Sequence, residues 1–217
     1  MRNIKLDLHT HSILSPDGGL SERDYWLLLE KKVLDCIAIT DHNTIAFAKE
    51  MQKKMGKQII VGEEVTTKDG EIIGLFLEEK VNAGISAQET VTAIKKQKGL
   101  VYIPHPFETF RKGINENVFQ SIIKDIDIVE VFNGRSMQSE TRIMANDYAN
   151  KYHLTTAASS DSHCRLGIGQ TYSIISGVPD RITLISLLKN GTCHEVRAPL
   201  LAYLCPKFNR IKKLFHI

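Results

Sequence analysis

The segment KLDLHTHSILSPDGG, residues 5–19, runs from an apolar alternation into two histidines one residue apart, with Asp17 following in the loop. An extended backbone points residues i and i+2 the same way, so His9 and His11 form a two-pronged chelate at a strand end. Beyond the loop, Ser21 is a candidate N-cap and Asp24 falls in the first turn of a helical stretch. The segment therefore opens a β/α unit whose polar groups sit at the C-terminal end of its strand.

That arrangement recurs. Strand-like runs occupy residues 4–8, 36–40, 58–65, 100–104, 126–132, 154–159 and 171–175. Helical stretches occupy 21–34, 44–55, 86–98, 116–124, 136–152 and 179–189, with Ser86 and Glu89 spaced as a capping box. Lys68-Asp69-Gly70 is a hairpin signal that turns the third run into EIIGLFL, residues 71–77. Elsewhere the βαβα order implies parallel strands with helical crossovers, and runs apolar on both faces imply a sheet covered by helices. The count is about seven units, which predicts an α/β fold: a TIM-like barrel one unit short, with its chemistry at the C-terminal strand ends.

The bulk properties fit one soluble domain spanning residues 1–217: hydrophobic residues make up 42% and charged residues 24%. A net charge of +3 is too small to argue for a nucleic-acid partner by itself. No apolar run approaches the ~20 residues that span a bilayer, and Lys5 and Asp7 interrupt any leader-like core, so a cytoplasmic location is expected. Cys36, Cys164, Cys193 and Cys205 are scattered without a C-x-x-C pair, which reads as reduced thiols.

Polar residues fall at one position within each unit. Asp41 and His42 end the second strand, Glu63 and Glu64 lie late in the third, and His105 ends the fourth. Asn133 follows the fifth, and Asp161 and His163 end the sixth as a second i, i+2 chelate. A parallel barrel gathers these ends on one face. Asp41 and His42 are adjacent and diverge, so His42 is assigned as a ligand and Asp41 as the group orienting an imidazole. The proline after His105 is expected to hold it extended. His153, His194 and His216 lie outside this set. An imidazole–carboxylate set without thiolate suits Zn²⁺, Mn²⁺ or Fe²⁺, and more than four ligands imply more than one ion. Singly, "PHP" or "TDH" more often marks a turn with a satisfied histidine; together at strand ends they read as a metal site.

In order, DLHTHS (7–12), ITDHN (39–43), IPHP (103–106) and SDSH (160–163) resemble the four motifs of the polymerase and histidinol phosphatase (PHP) superfamily, over residues 5–176. The overall shape is similar to its small stand-alone metal-dependent phosphoesterases. The resemblance implies a distorted (β/α)7 barrel with two or three divalent ions. His9, His11, Glu64 and Asp161 would hold the first; Glu64 would bridge to a second, also bound by His105; and Asp17, His42 and His163 would hold a third. The family's glycine–any residue–glutamate pattern selects Glu64 after Gly62 and turns Glu63 away. Some relatives supply a further histidine to the second ion after the fifth strand, where VEVFNGR (129–135) offers Glu130 or Asn133, and Asn133 is chosen as lying past the strand end.

The reaction expected is hydrolysis of a phosphate ester by a metal-bridged hydroxide. Arg135 and Arg165, each just past a site-facing strand, are assigned to the phosphate, against the competing reading of a solvated arginine or a structural ion pair. Alternatives are hydrolysis of an amide-type bond and a non-catalytic metal-binding scaffold. No long basic stripe with interleaved aromatics appears, so a small phosphorylated substrate, a nucleotide or an oligonucleotide end is favoured over extended nucleic acid. In the tail, residues 206–217, Phe208, Ile211, Leu214 and Phe215 recur at helical spacing opposite Lys207, Arg210 and Lys213. The apolar face of this helix is expected to close the barrel, with a membrane surface or an acidic partner as the other options.

Overall fold

The computed structural model describes residues 3–215. Its strands are β1 (Ile4–Asp7), β2 (Cys36–Ile39), β3 (Ile59–Thr66), β4 (Glu71–Leu75), β5 (Leu100–Ile103), β6 (Ile128–Asn133), β7 (Thr155–Ser159), β8 (Tyr172–Ile175) and β9 (Thr192–His194). Its helices are α1 (Glu22–Glu30), α2 (Ala46–Met55), α3 (Ala87–Lys96), α4 (Glu116–Ser121), α5 (Ser139–Lys151), α6 (Leu184–Lys189) and α7 (Cys205–Leu214). The capping box forms as read: Glu89 N donates to Ser86 Oγ at 3.3 Å and Ser86 N to Glu89 Oε2 at 2.8 Å.

The strands make one nine-stranded sheet in the order β7-β6-β5-β4-β3-β2-β1-β8-β9. It curls into a nearly closed barrel, because Ser173 on β8 reaches back to β7, accepting from Ala158 N at 3.1 Å and donating to Ala158 O at 3.2 Å. A TIM-like α/β barrel is therefore present, with two departures from a strict repeat. β4 runs antiparallel to both β3 and β5, as the hairpin signal required, and β8 runs antiparallel to β1 instead of continuing the parallel series. The short β9 was not anticipated. At the hairpin, Gly70 has φ +132°, and a Cβ there would meet Ile114 N at 2.8 Å.

Side-chain parity divides the core. Odd residues Ile37, Ile39, Ile59 and Val61 pack outward against helices, while Leu6, Leu8, Cys36, Ala38 and Ile60 fill the barrel. Each such large side chain contributes about 1.5–3 kcal/mol by burial. The same parity aims Glu64, an even residue like Ile60, into the barrel and sends Glu63 outward, where its Oε2 accepts from Val81 N at 2.8 Å.

Two expectations fail near the C-terminus. Cys164 and Cys205 form a disulfide, leaving Cys36 and Cys193 free. The pair is 41 residues apart and meets only because α7 folds back over the barrel mouth, so no local spacing announced it. α7 also presents the side opposite to the one expected. Asn209, Arg210 and Lys213 contact the barrel, whereas Leu204, Phe208, Leu214 and Phe215 are exposed. Among the described residues no helix is long and apolar enough to cross a membrane. His216 lies outside the described residues.

Candidate metal centre

The barrel mouth gathers side chains from many distant segments. β1 leads into a loop stitched to the loop after β7, where His11 N donates to Ser162 O at 2.9 Å. That contact sets the two i, i+2 pairs face to face. His9 Nε2 lies 3.1 Å from His11 Nε2 and 3.6 Å from Asp161 Oδ1, and His11 Nε2 lies 3.5 Å from the same oxygen. Glu64 Oε2 is 3.3 Å from His9 Nε2 and 3.2 Å from His11 Nε2, and Glu64 Oε1 is 3.1 Å from His105 Nε2. On the far side, Asp17 lies 3.7 Å from His42 Nε2 and 3.4 Å from His163 Nε2. His9, His11, Asp17, Glu64, His105, Asp161 and His163 are all buried.

Four sets of ligand atoms converge within 4.8 Å: His11, Asp17, His42 and His163; His9, His11 and Asp161; His9, Glu64 and His105; and His42, Glu64 and Glu71. The donor set fits divalent ions. Buried imidazole nitrogens face one another; His105 Nδ1 is buried without a hydrogen-bond partner among the described residues, and His42 Nδ1 lies 3.4 Å from Glu64 Oε2 and 3.7 Å from Glu71 Oε1. One further carboxylate, Glu130, prepares the cage. Glu130 Oε1 lies 3.2 Å from His9 Nδ1 and can take its proton, so that Nε2 is the nitrogen that would ligate an ion. Glu130 Oε2 accepts from His105 N at 2.7 Å.

The electrostatics favour ionised carboxylates. Burial would raise Glu64, but His9, His42, His105 and His11 outweigh it and hold it well below the usual range. Burial likewise opposes ionisation of Asp161, and the Arg135, His9 and Arg111 charges hold it well below the usual range. Glu71 behaves differently: burial, then the Glu64 charge, push it up to about 7. Burial and the positive neighbours His11 and Arg135 press His163 down to about 3, a neutral imidazole suited to ligation.

The family model for the PHP domain matches residues 7–168. The chain belongs to the PHP domain family. MJ1587 of Methanocaldococcus jannaschii is 38% identical over 60% of this chain and 82% of its own length. MJ0417 of the same organism is 35% identical over 90% of this chain and 83% of its own length. Both are described as uncharacterised proteins. A two-domain protein from Bacteroides vulgatus containing a predicted PHP-like metal-dependent phosphoesterase shares the fold, with a TM-score of 0.70 and 18% identity over 96% of this chain and 70% of that one. The fold is thus that of PHP metal-dependent phosphoesterases, with His/Asp/Glu clusters able to bind metal ions.

Against the PHP motifs, several assignments change. Asp41 orients no imidazole; its carboxylate accepts from Ser12 N at 2.6 Å and Ser12 Oγ at 2.5 Å, fixing the loop that carries His11. Arg165 stays away from the cavity, its Nε paired with Asp24 on α1 and its side chain 69% exposed. Arg135 does reach it, with Nη1 3.3 Å from Asp161 Oδ1 and 3.0 Å from His163 Nδ1. Asn133 is aimed inward by a bulge between Glu130 and Phe132. Its Oδ1 accepts from Arg111 Nη1 and from Arg135 N, both at 2.8 Å, so that oxygen is already engaged. His105 is not extended: its φ is +29°, a strained value held by the Glu130 bond to its amide. Asp161, at φ +50°, is bent as well, yet both it and His163 reach the cage.

Glu71, Arg111, Lys112 and Arg210 were missed. Glu71 is the first residue of β4, and because β4 is antiparallel its start, paired with Thr66, lies at the mouth. A rule that looks only at strand ends passes over it, although the hairpin signal could have revealed it. Arg111 sits in a loop; its Nη1 contacts Asp161 and its Nε lies 3.0 Å from Glu108 Oε2. Arg210 Nη2, from α7, lies 2.7 Å from Asp17 Oδ2. Together with Arg135 and Lys207, these cations line a cavity of about 720 Å³ over the cage. His153 and His194 lie outside the cage, His194 stacked on Tyr172 at 4.6 Å between ring centroids.

Proposed function

We propose that this PHP domain protein is a phosphoric ester hydrolase acting on a small phosphorylated substrate, a nucleotide or an oligonucleotide end. The observation that carries the reading is the meeting of two guanidiniums, Arg111 and Arg135, with the buried imidazole–carboxylate cage at one cavity. Guanidinium forks match phosphate oxygens, and a cavity of about 720 Å³ suits a nucleotide-sized molecule.

In this proposal His9, His11, Glu64 and Asp161 hold one divalent ion, Glu64 and His105 a second, and Asp17, His42 and His163 a third. Glu71 is a further carboxylate for the second or third. Such ions, when bound, supply Lewis acidity and a water acidified to near-neutral pKa. The chain's own groups do the rest. Glu130 and Asp41 keep the histidine loop in register, and Glu130 fixes the His9 tautomer. Arg135 and Arg111 hold the nonbridging oxygens of the phosphate, and Lys112 adds charge at the cavity wall.

The test is turnover by the Mn²⁺-supplemented protein over a panel of phosphomonoesters, phosphodiesters, short oligonucleotides and amides. Hydrolysis of phosphate esters is expected. With metal shown to be bound, turnover confined to the amides or absent altogether would end this reading.

A further inference from the structure

α7 turns its polar side to the barrel and its apolar side to solvent. Asn209 Nδ2 donates to Asp17 O at 2.8 Å and His163 O at 3.0 Å, and Lys213 Nζ donates to Gly18 O at 2.8 Å. On the opposite side, Leu201 and Leu204 of the 3-10 turn that leads into the helix (Leu200–Leu204), Phe208 and Ile211 of α7, and Phe215 just after it follow one another at three- and four-residue spacing. They are 66%, 61%, 66%, 45% and 69% exposed. A surface helix ordinarily buries such a stripe, and here nothing among the described residues covers it.

The charges around the stripe identify what does. From Val196 to Ile217 there is no Asp or Glu, while Arg197, Lys207, Arg210, Lys212 and Lys213 are all cationic. With 3.6 residues per turn, Lys207 and Lys212 fall on the two flanks of the stripe, and both are exposed. Lysines in these positions reach from an apolar face toward a polar boundary. We infer that α7 docks on a bilayer surface carrying anionic phospholipid headgroups, its stripe in the acyl boundary and its flanking lysines among the phosphates. A second copy of the chain fits poorly, since a two-fold pairing would set Lys207 and Lys212 against their counterparts with no carboxylate in the segment to meet them. Because Lys207, Arg210 and Ile211 also line the cavity, the docked helix brings its mouth beside the headgroup layer. The inference stands on residues 201–215 and does not depend on the reaction catalysed.

The experiment is co-sedimentation of the full chain with vesicles of phosphatidylcholine alone and of phosphatidylcholine mixed with phosphatidylglycerol, at low and high salt. Binding to the mixed vesicles, weakened by salt, is expected. A Leu204→Ser/Phe208→Ser/Phe215→Ser variant should lose at least tenfold in affinity while keeping its far-ultraviolet dichroism and Mn²⁺ content. A Lys207→Ala/Lys212→Ala variant should lose about twenty-fivefold, at about fivefold per lysine. If the serine variant fails to fold, the lysine variant decides. Absent binding, equal binding to both vesicle types, or a dimer in light scattering that forms without vesicle binding would each overturn the inference.

Discussion

The two ring nitrogens His9 Nε2 and His11 Nε2 stand 3.1 Å apart, with Glu64 Oε2 3.3 Å from one and 3.2 Å from the other. One carboxylate oxygen thus serves two imidazoles while the other meets His105. In the proposed reading Glu64 is the carboxylate shared between two cations. Glu64→Gln should lower divalent-metal affinity by at least about 100-fold, since outer-shell changes alone cost 10–100-fold. Metal titration with Mn²⁺ checks this, and retention of full affinity would remove Glu64 from the bridging role.

The arginines divide by position. Arg135→Ala and Arg111→Ala each remove a charged hydrogen-bond donor worth about 1.5–3 kcal/mol, so KM for a phosphate ester should rise about ten- to a hundredfold. Arg165→Ala should leave KM unchanged, because Arg165 is paired with Asp24 outside the cavity. Steady-state kinetics on the three variants separates these outcomes; a rise with Arg165→Ala alone would reverse the assignment.

Chelation should lower stability as well as activity. In the proposed reading the imidazole–carboxylate cage binds cations in the folded state and not in the unfolded one, so metal at 100 times its Kd would add about 2.7 kcal/mol. EDTA should therefore depress the Tm, and Mn²⁺ in excess of the chelator should restore it. A Tm indifferent to both would show that the cage binds no ion tightly.

Asp7 gives a pH dependence. Burial, only partly offset by the Ser160 and His9 amides, pushes its carboxyl up to about 7 from 3.8. The folded state therefore holds a proton that the unfolded state releases, and stability falls as pH rises from about 4 through 7. In EDTA, Asp7→Asn should flatten that decline and make the protein the more stable form at pH 8. Urea unfolding at pH 5 and pH 8 measures it, and parallel pH profiles for variant and parent would contradict the assignment.

Much of the centre was legible in the chain because its signals are local. His9 and His11 share one extended loop, and Glu64 shares the parity of Ile60, so neither needs tertiary information to be aimed. Asp17, His42, His105, Asp161 and His163 each close a strand or follow one, where a barrel must collect them. Asn133 was the weak point, since Glu130 lies within the strand and its contacts to His9 and His105 cannot be seen from a rule about strand ends.

The amino-acid order alone therefore determined the alternation of elements, the hairpin at Lys68-Asp69-Gly70 and which motif residues converge, because periodicity, turn chemistry and strand parity are short-range properties. Only the folded barrel decided that Glu71 enters through an antiparallel strand, that Arg111 replaces Arg165 at the cavity, and that Cys164 meets Cys205. It alone decided which side of α7 faces outward, since that depends on Asp17, Gly18 and His163, carbonyl and carboxylate partners far away in sequence. Contacts between such distant segments arise from the closure of the sheet, and no window of sequence contains them.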